Sequence, residues 1–473
     1  MSNKLVKNTS IYAIGNVIPK ITHFFLLPLY TAYLSPRDFG IVQSMQVLTV
    51  ILVIFFTLAL DRSIYRLYFD FKTEENKKTY ISTVFISIAG VSILLLILLF
   101  VFKNSVSLIY TSINFYPFYF YAIVSGFLTV FAVIPKIYYQ INEKAKKFIF
   151  LSLLQFVSNT SFVIWFVVVT KEGATGYLKG LMLGNLITLP IFIYITIKTI
   201  NFKFNFNYLK ISLKYSLPII PSLLSAWILN LSDRIFIERY FSMNEVGIYS
   251  LGYKIAGLVL IISSGFKLAY SPLFFKIANS ENKINSEKKL SKYNFNYILV
   301  IMLICFLISF FSKELIGLFF KKEYFEVYKI VKLISIAYLF NQVSGLFNLS
   351  LYQMKKTIIV MYIGLGSAII NIGLNYILIP VYGIYGAAYA TILSFLMFAI
   401  IKYLMSAKYY PINLNWKNLF LIFFGLIAVD LIFSSLSFTH IEMISMKIAT
   451  VLIFGWLIYH FYSDKIMQIF KRN

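Results

Sequence analysis

The sequence predicts an all-α polytopic membrane protein of about fourteen transmembrane helices, built as two six-helix lobes with two further helices at the C-terminus. Three observations carry this expectation. Apolar segments of membrane-spanning length recur from end to end, lysine and arginine are sorted by side, and the first half of the chain is echoed in the second. With 60% hydrophobic and only 13% charged residues over 473 positions, there is too little charge to clothe a soluble core.

At 1.5 Å per residue, a run of about 20 to 26 apolar residues crosses the ~30 Å hydrocarbon layer as a helix. Such runs fall near 9–33, 41–63, 81–103, 117–139, 147–170, 174–199, 212–238, 247–272, 293–312, 328–350, 357–380, 383–405, 417–436 and 442–462. The tenth is the least regular, because Lys329 and Lys332 stand near its start. The first run is longer than a signal-peptide core and has no small-residue cleavage site after it, so it is expected to persist as helix 1.

A net charge of +25 would suggest a nucleic-acid partner in a soluble protein, but here its distribution matters more. With the N-terminus in the cytoplasm, the tail, the loops on that side and the C-terminus hold about 28 Lys or Arg, against about seven in the opposite loops. The basic charge therefore reads as a topology signal. Both termini are expected in the cytoplasm, with no nucleic-acid partner. The lone Cys305 excludes an intrachain disulfide, and His23, His440 and His460 form no ligand cluster. No metal or other cofactor is expected, and coupling to H+ or Na+ stays open.

The echo begins at Tyr33, where YLSPRDFGI is answered by YFSMNEVGI at Tyr240, about 207 residues later. YYQINEKAKK then matches LYQMKK, pairing Tyr139 and Gln140 with Tyr352 and Gln353, and GATGYLKG matches GIYGAAYA, pairing Gly173 and Gly176 with Gly383 and Gly386. Six helices separate the copies, so the repeats run parallel and imply a pseudo-twofold axis along the membrane normal. The expected organisation is an N-lobe over 1–200 with helices 1–6, a cytoplasmic interlobe linker over 201–211, a C-lobe over 212–406 with helices 7–12, and helices 13–14 with a cytoplasmic tail over 407–473. Gly40 and Gly247 read as permissive residues of tight turns, and Gly180 and Gly184 as a GxxxG helix contact.

Four stretches, YTAYLSPRDFGI, SLPIIPSLLSAWILNLSDR, NEVGIYSLGYKIA and NIGLNYILIPVYGIYGAAYAT, resemble the polysaccharide-biosynthesis branch of the multidrug/oligosaccharidyl-lipid/polysaccharide (MOP) exporter superfamily, and the resemblance covers essentially the whole chain. It implies a MATE-like fold and a Wzx-type flippase. Such proteins carry undecaprenyl-diphosphate-linked oligosaccharide (O-antigen, capsule or a similar repeat unit) from the inner to the outer leaflet by alternating access. Polysaccharide polymerase and glycosyltransferases are the implied partners. A lipid II flippase of a neighbouring branch, a cation-coupled multidrug exporter and, from another class, a membrane glycosyltransferase or ligase remain alternatives. The multidrug exporter would want intramembrane carboxylates, which are missing from the depth of helices 1–6. The ligase would want a large outward loop, and the longest, about 313–327, is short and Lys-rich. A transporter rather than an enzyme is expected.

A symmetric scaffold that holds one asymmetric substrate should lose its symmetry where the substrate binds. At the 207 offset Lys20 is matched by Trp227, and Lys254 by Val47. A lysine at the centre of a membrane helix costs about 2.5–3.5 kcal/mol on insertion scales, so it needs a partner, a wet cavity or an escape to the interface. Lys20 stands about 16 Å from the near end of helix 1, and Asn16, Lys20 and His23 form one polar stripe at helical spacing. Either that stripe meets substrate in a cavity lined by helices 1, 2, 7 and 8, or Lys20 belongs to a buried pair. Lys254, about 10 Å from the outer end of helix 8, divides between substrate contact and snorkelling, and Lys267 is expected to snorkel. Asp233, Arg234 and Glu238 crowd the outer end of helix 7, where an Arg234–Glu238 ion pair competes with a gating or coupling role. Pro19, Pro218 and Pro221 are expected to bend helices 1 and 7. Asp61 and Arg62 read as interface anchors, and Asp430 as a paired or snorkelled residue.

Overall fold

A computed structural model describes residues 18–280, 282–436 and 442–453. Among these residues the chain is almost entirely helical. The helices are α1 (18–33, interrupted at Leu26), α2 (Pro36–Thr57), α3 (Glu74–Val101), α4 (Phe115–Ile141), α5 (Ala145–Val169) and α6 (Gly173–Thr199). In the second half come α7 (Phe206–Leu231, continued by Asp233–Tyr240), α8 (Met243–Asn279), α9 (Ile284–Phe310) and α10 (Lys322–Gln353). Next is a double-length helix, Thr357–Tyr409, followed by a further helix, Trp416–Ser435.

Eleven of the described helices are long and apolar enough to cross a membrane. The 53-residue helix Thr357–Tyr409 is about 80 Å long at 1.5 Å per residue, far more than one crossing needs. It breaks at Gly383 (φ 60°, ψ −138°), giving α11 before the break and α12 after it, with Trp416–Ser435 as α13. The expected first and last helices run into residues outside the described set. Large apolar side chains such as Leu94, Val101, Ile369, Tyr376, Leu421 and Phe424 stay exposed on the outer surface, as a lipid-facing surface requires. The chain is a multi-pass membrane protein.

The repeated opening motif is a helix start used twice. In α2, Ser35 accepts from the Asp38 amide at 3.1 Å while its own amide donates to Asp38 at 3.3 Å, with Pro36 in the first turn. In α8, Ser242 accepts from the Asn244 amide at 3.2 Å and its hydroxyl donates to Glu245. Such caps satisfy amides that have no partner within the helix. The other landmarks also recur. Gly173 and Gly383 both take positive φ, 59° and 60°, at the starts of α6 and α12. Beside them Gly176 and Gly386 let the chain pack on itself, since a Cβ there would stand 2.6 Å from the Phe166 carbonyl oxygen and 2.2 Å from that of Leu378.

Gly40 and Gly247 have a different role from the one expected. Both lie inside helices, and neither has positive φ. They are the point where α2 crosses α8. A Cβ on Gly40 would sit 2.0 Å from the Met243 carbonyl oxygen, and one on Gly247 1.9 Å from that of Pro36. The glycines are needed for backbone-to-backbone approach between the halves, not for a turn.

Residues 201–205 form no helix, with Phe202 at a positive φ of 54°, and α7 begins at Phe206. The first part of α7, Phe206–Ser216, packs on the short helix Leu60–Leu67 that follows α2. A 3-10 turn at Leu217–Ile219 then carries Pro218, and Pro221 stands in the first turn of Ile220–Leu231. In α1 an interruption falls at Leu26, two residues before Pro28, and the turn that precedes Pro19 lies outside the described residues. The proline ring at Pro28 cannot donate to the preceding turn.

Candidate functional site

A cavity of about 590 Å³ lies where the two halves face each other. α1 contributes Lys20, His23 and Tyr30, α2 contributes Gln43, Gln46 and Val47, α7 contributes Asn230 and Arg234, and α8 contributes Tyr253 and Lys254. Tyr177 of α6 and Tyr338 of α10 complete the wall. Among the described residues no Asp or Glu lines it. The cavity continues into a second space of about 550 Å³ through Val50 and Leu231, and that space reaches Thr57, Asp61 and Arg62 at the far end of α2.

Lys20 is exposed to the cavity, and neither Lys20 nor Lys254 has an ion-pair partner among the described residues. The Lys254 ammonium lies 5.7 Å from the Phe39 ring centre, and His23 meets Phe156 edge-on at 5.3 Å. Asn16, the remaining member of the expected stripe, lies outside the described residues. Arg234 is buried at 4% exposure and is compensated: it donates to Asp233 at 2.6 Å and to the Asn230 carbonyl. Its guanidinium stacks 4.4 Å from the Tyr253 ring centre. Asp233 is held in turn by the Tyr249 hydroxyl. The Arg234 Nε, however, is buried with no hydrogen-bond partner.

The Arg234–Glu238 pair allowed by helical spacing does not form. Arg234 folds back on its own turn, while Glu238 reaches the other half and accepts from the Ser112 amide at 2.7 Å and the Thr111 hydroxyl at 3.3 Å. Next to it, Arg239 donates to the Leu108 carbonyl at 2.9 Å, and Tyr324 donates to the Leu34 carbonyl at 3.0 Å. Together with the Gly40–Gly247 crossing, these bonds hold the two halves together at the end where α1 meets α2 and α7 meets α8. The Ser112 amide gives Glu238 a charge-assisted partner, while Arg234 is engaged by Asp233 and the Asn230 carbonyl.

The repeat mismatches meet one another. Trp227, the counterpart of Lys20, donates its indole N–H at 3.0 Å to the carbonyl of Val47, the counterpart of Lys254. On the symmetry-related flank the corresponding residues are the two lysines, and both line the cavity. One flank is tied by a neutral hydrogen bond; the other presents two cations.

Other charges are structural. Asp430 pairs with Lys332 at 2.8 Å, joining α13 to α10. Lys267 does not snorkel: its ammonium donates to Gln342 of α10 at 2.7 Å. A glutamine one helix away supplies what the interface would have supplied. Asp61 pairs with Arg62 at 3.3 Å. Buried Lys402, over the Phe398 ring at 3.5 Å, and Lys136, bonded to Gln155 at 2.5 Å, escape a reading based on span centres because both sit near span ends. The tyrosines of the cavity wall are also hidden from sequence reading, since a chain with 36 Tyr offers no local signal that separates wall from lipid face.

A family model described as polysaccharide biosynthesis protein matches residues 5–278, more than half of the chain. The chain belongs to that family. A second model, MatE, matches residues 218–377. A protein of the Lsg locus of Haemophilus influenzae is 23% identical over 349 residues, 71% of this chain and 83% of that protein. A second Haemophilus influenzae membrane protein is 23% identical over 348 residues, covering 71% and 82%. Among solved structures, the lipid II flippase MurJ in an inward closed conformation superposes with a TM-score of 0.75 at 16% identity, covering 98% of this chain and 100% of that one. An inward-facing multidrug resistance MATE transporter of the MOP superfamily gives 0.61 at 13% identity, covering 86% and 98%. At such identities the structural likeness is one of fold. This polysaccharide biosynthesis protein therefore shares its fold with a lipid II flippase and with MATE transporters.

Proposed function

We propose that this protein is a flippase that carries a polyprenyl-diphosphate-linked oligosaccharide across the membrane by alternating access. The reading extends to direction and location: from cytoplasmic to outer leaflet of a bacterial inner membrane, with both termini cytoplasmic, in a pathway that includes glycosyltransferases and a polysaccharide polymerase. The observation that carries it is the interlobe cavity, where among the described residues Lys20 and Lys254 have no ion-pair partner and no carboxylate lines the wall. A diphosphate is a multiply charged acceptor, and two ammonium groups in a confined space offer charge-assisted hydrogen bonds to it. Tyr30, Tyr177, Tyr253 and Tyr338 add ring faces and hydroxyls suited to sugars. The same wall disfavours a cationic drug, which two unpaired lysines would repel.

In this mechanism the diphosphate binds at the lysines while the lipid tail stays in the bilayer. The bonds of Glu238 and Arg239 then break as the halves rock about the α2–α8 crossing. The energy source is part of the proposal only as an H+ or Na+ gradient. Export of lipid-linked glycan in a strain lacking the chromosomal gene tests the reading. Lys20→Ala and Lys20→Glu abolish export at unchanged protein level, whereas Lys20→Arg retains much of it. Full export by correctly inserted Lys20→Ala overturns the diphosphate assignment.

A further inference from the structure

Within the second half, α7, α10, α11 and α12 enclose a pocket of about 600 Å³. Asn230 lines both this pocket and the central cavity, so the two spaces join there. Tyr352 and Thr357, both exposed, bring the pocket to the surface where α10 gives way to α11.

The polar side chains of this wall are neutral and free. Neither the Asn341 side-chain amide nor the hydroxyls of Ser222, Tyr352 and Thr357 make a hydrogen bond among the described residues. The same wall carries the rings of Phe395 and Phe398. From α11 comes Gly364, where a Cβ would meet only the Ser225 Cβ, at 3.8 Å, so the pocket has its room on that side. Among the described residues no charged side chain lines the pocket. The Lys402 ammonium lies over the Phe398 ring at 3.5 Å, and Lys402 is no part of the wall.

These groups discriminate between occupants. A polyprenyl chain would take four accessible polar groups out of water and return no hydrogen bond, at a cost of about 1–3 kcal/mol each. An anion finds no cation in the wall, and a metal ion finds no carboxylate. A neutral sugar matches. Its hydroxyls both donate and accept, as do the amide and the three hydroxyls that await them, and the C–H face of its ring suits Phe395 and Phe398. The volume falls within the range of about 300–1,000 Å³ in which pockets hold small ligands by an apolar wall and a few placed polar groups.

We infer that this pocket is the glycan subsite: a neutral sugar ring occupies it, beyond Asn230, while the diphosphate lies against Lys20 and Lys254. The inference rests on the flippase reading and gives glycan recognition to residues that take no part in holding the diphosphate. The two ideas separate by ligand. Purified protein in detergent is titrated by native mass spectrometry with undecaprenyl diphosphate, and with lipid-linked glycans extracted from the bacterium that carries this chain. Asn341→Ala weakens glycolipid binding about tenfold, the loss of roughly one hydrogen bond, and Gly364→Leu, which fills the pocket, weakens it further. Both leave undecaprenyl diphosphate binding unchanged, which also reports that the variants are folded. Ser222→Ala adds no volume and carries the test where the leucine disturbs α11. Lys20→Ala weakens both ligands. Wild-type affinity for the glycolipid in the pocket variants overturns the glycan subsite. Equal loss of both ligands at an unchanged unfolding temperature overturns it as well, and makes the pocket a seat for the polyprenyl chain. Lys20→Ala with both affinities intact overturns the flippase reading instead.

Discussion

α1 and α7 hold corresponding places in the two halves, yet one offers the cavity an ammonium and the other an indole. Trp227 closes its flank by donating to Val47, while Lys20 and Lys254, at the matching positions, remain in the cavity wall. Where the halves agree, the shared residues build backbone geometry: caps at Ser35 and Ser242, positive φ at Gly173 and Gly383, and the mutual contact of Gly40 and Gly247. Where they disagree, charge appears. The repeat supplies the shared backbone geometry of the two halves, and its departures place two cations in the wall of the cavity between them.

The largest expected effect comes from breaking the agreement at its centre. Gly40→Val and Gly247→Val place side-chain carbons where a carbonyl oxygen of the other half already stands, at 2.0 and 1.9 Å from the first added atom. The obstacle is backbone, so the helices must part, at a cost of about 1–3 kcal/mol or more. Because the crossing is reciprocal, both substitutions are expected to act alike, abolishing export and the formation of an interlobe disulfide between Ser112→Cys and Glu238→Cys. Equal wild-type cross-linking in the two valine variants would remove the hinge from the account.

Next is the cavity flank. Lys254→Ala should reduce export at least tenfold at unchanged protein level, and Trp227→Phe, which removes only the indole donor, should cost less than about threefold, as the loss of one neutral hydrogen bond does. The reverse order would mean that the tied flank, not the cationic one, carries the transport function. Smaller again is Glu238→Gln. Glutamine keeps an oxygen for the Ser112 amide but loses the charge that strengthens the bond. The expected result is partial export and faster alkylation of a Thr111→Cys reporter, from more frequent opening at that end. Alkylation at the wild-type rate would show that Glu238 does not hold the halves together.

Much of the fold was legible because membrane insertion imposes one rule, a long apolar run, on every helix. The repeat was legible because caps and positive-φ positions depend on residues a few places apart. Contacts between distant helices follow no such rule. Spacing allowed Arg234 to meet Glu238, and nothing local announced that the Ser112 amide, 126 residues away, would take the carboxylate instead. Lys267 looked free to snorkel because Gln342 is 75 residues off. Gly40 read as a turn glycine since its neighbours are turn-like, while its reason lies in the other half. Lys20 and Lys254 were found by comparing the halves, a method that reveals an exception without showing what fills the cavity around it.

The smallest effect tests the symmetry itself. Ser35→Ala and Ser242→Ala each remove a cap from equivalent helix starts, and a cap of this kind is worth about 1 kcal/mol. Ser35 both accepts from the Asp38 amide and donates to its carboxylate, and Ser242 accepts from the Asn244 amide while donating to Glu245. The two losses should therefore be close to equal, read as similar small downward shifts in thermal unfolding of detergent-solubilised protein, with export retained. The sites are too far apart in sequence to share a local partner, yet both caps start the helices that cross at Gly40 and Gly247. The double variant should thus lose more than the sum of the singles, because each helix start positions the other's backbone. Strict additivity would mean that the crossing is held by packing further along α2 and α8, and that the repeated motif acts on each helix separately.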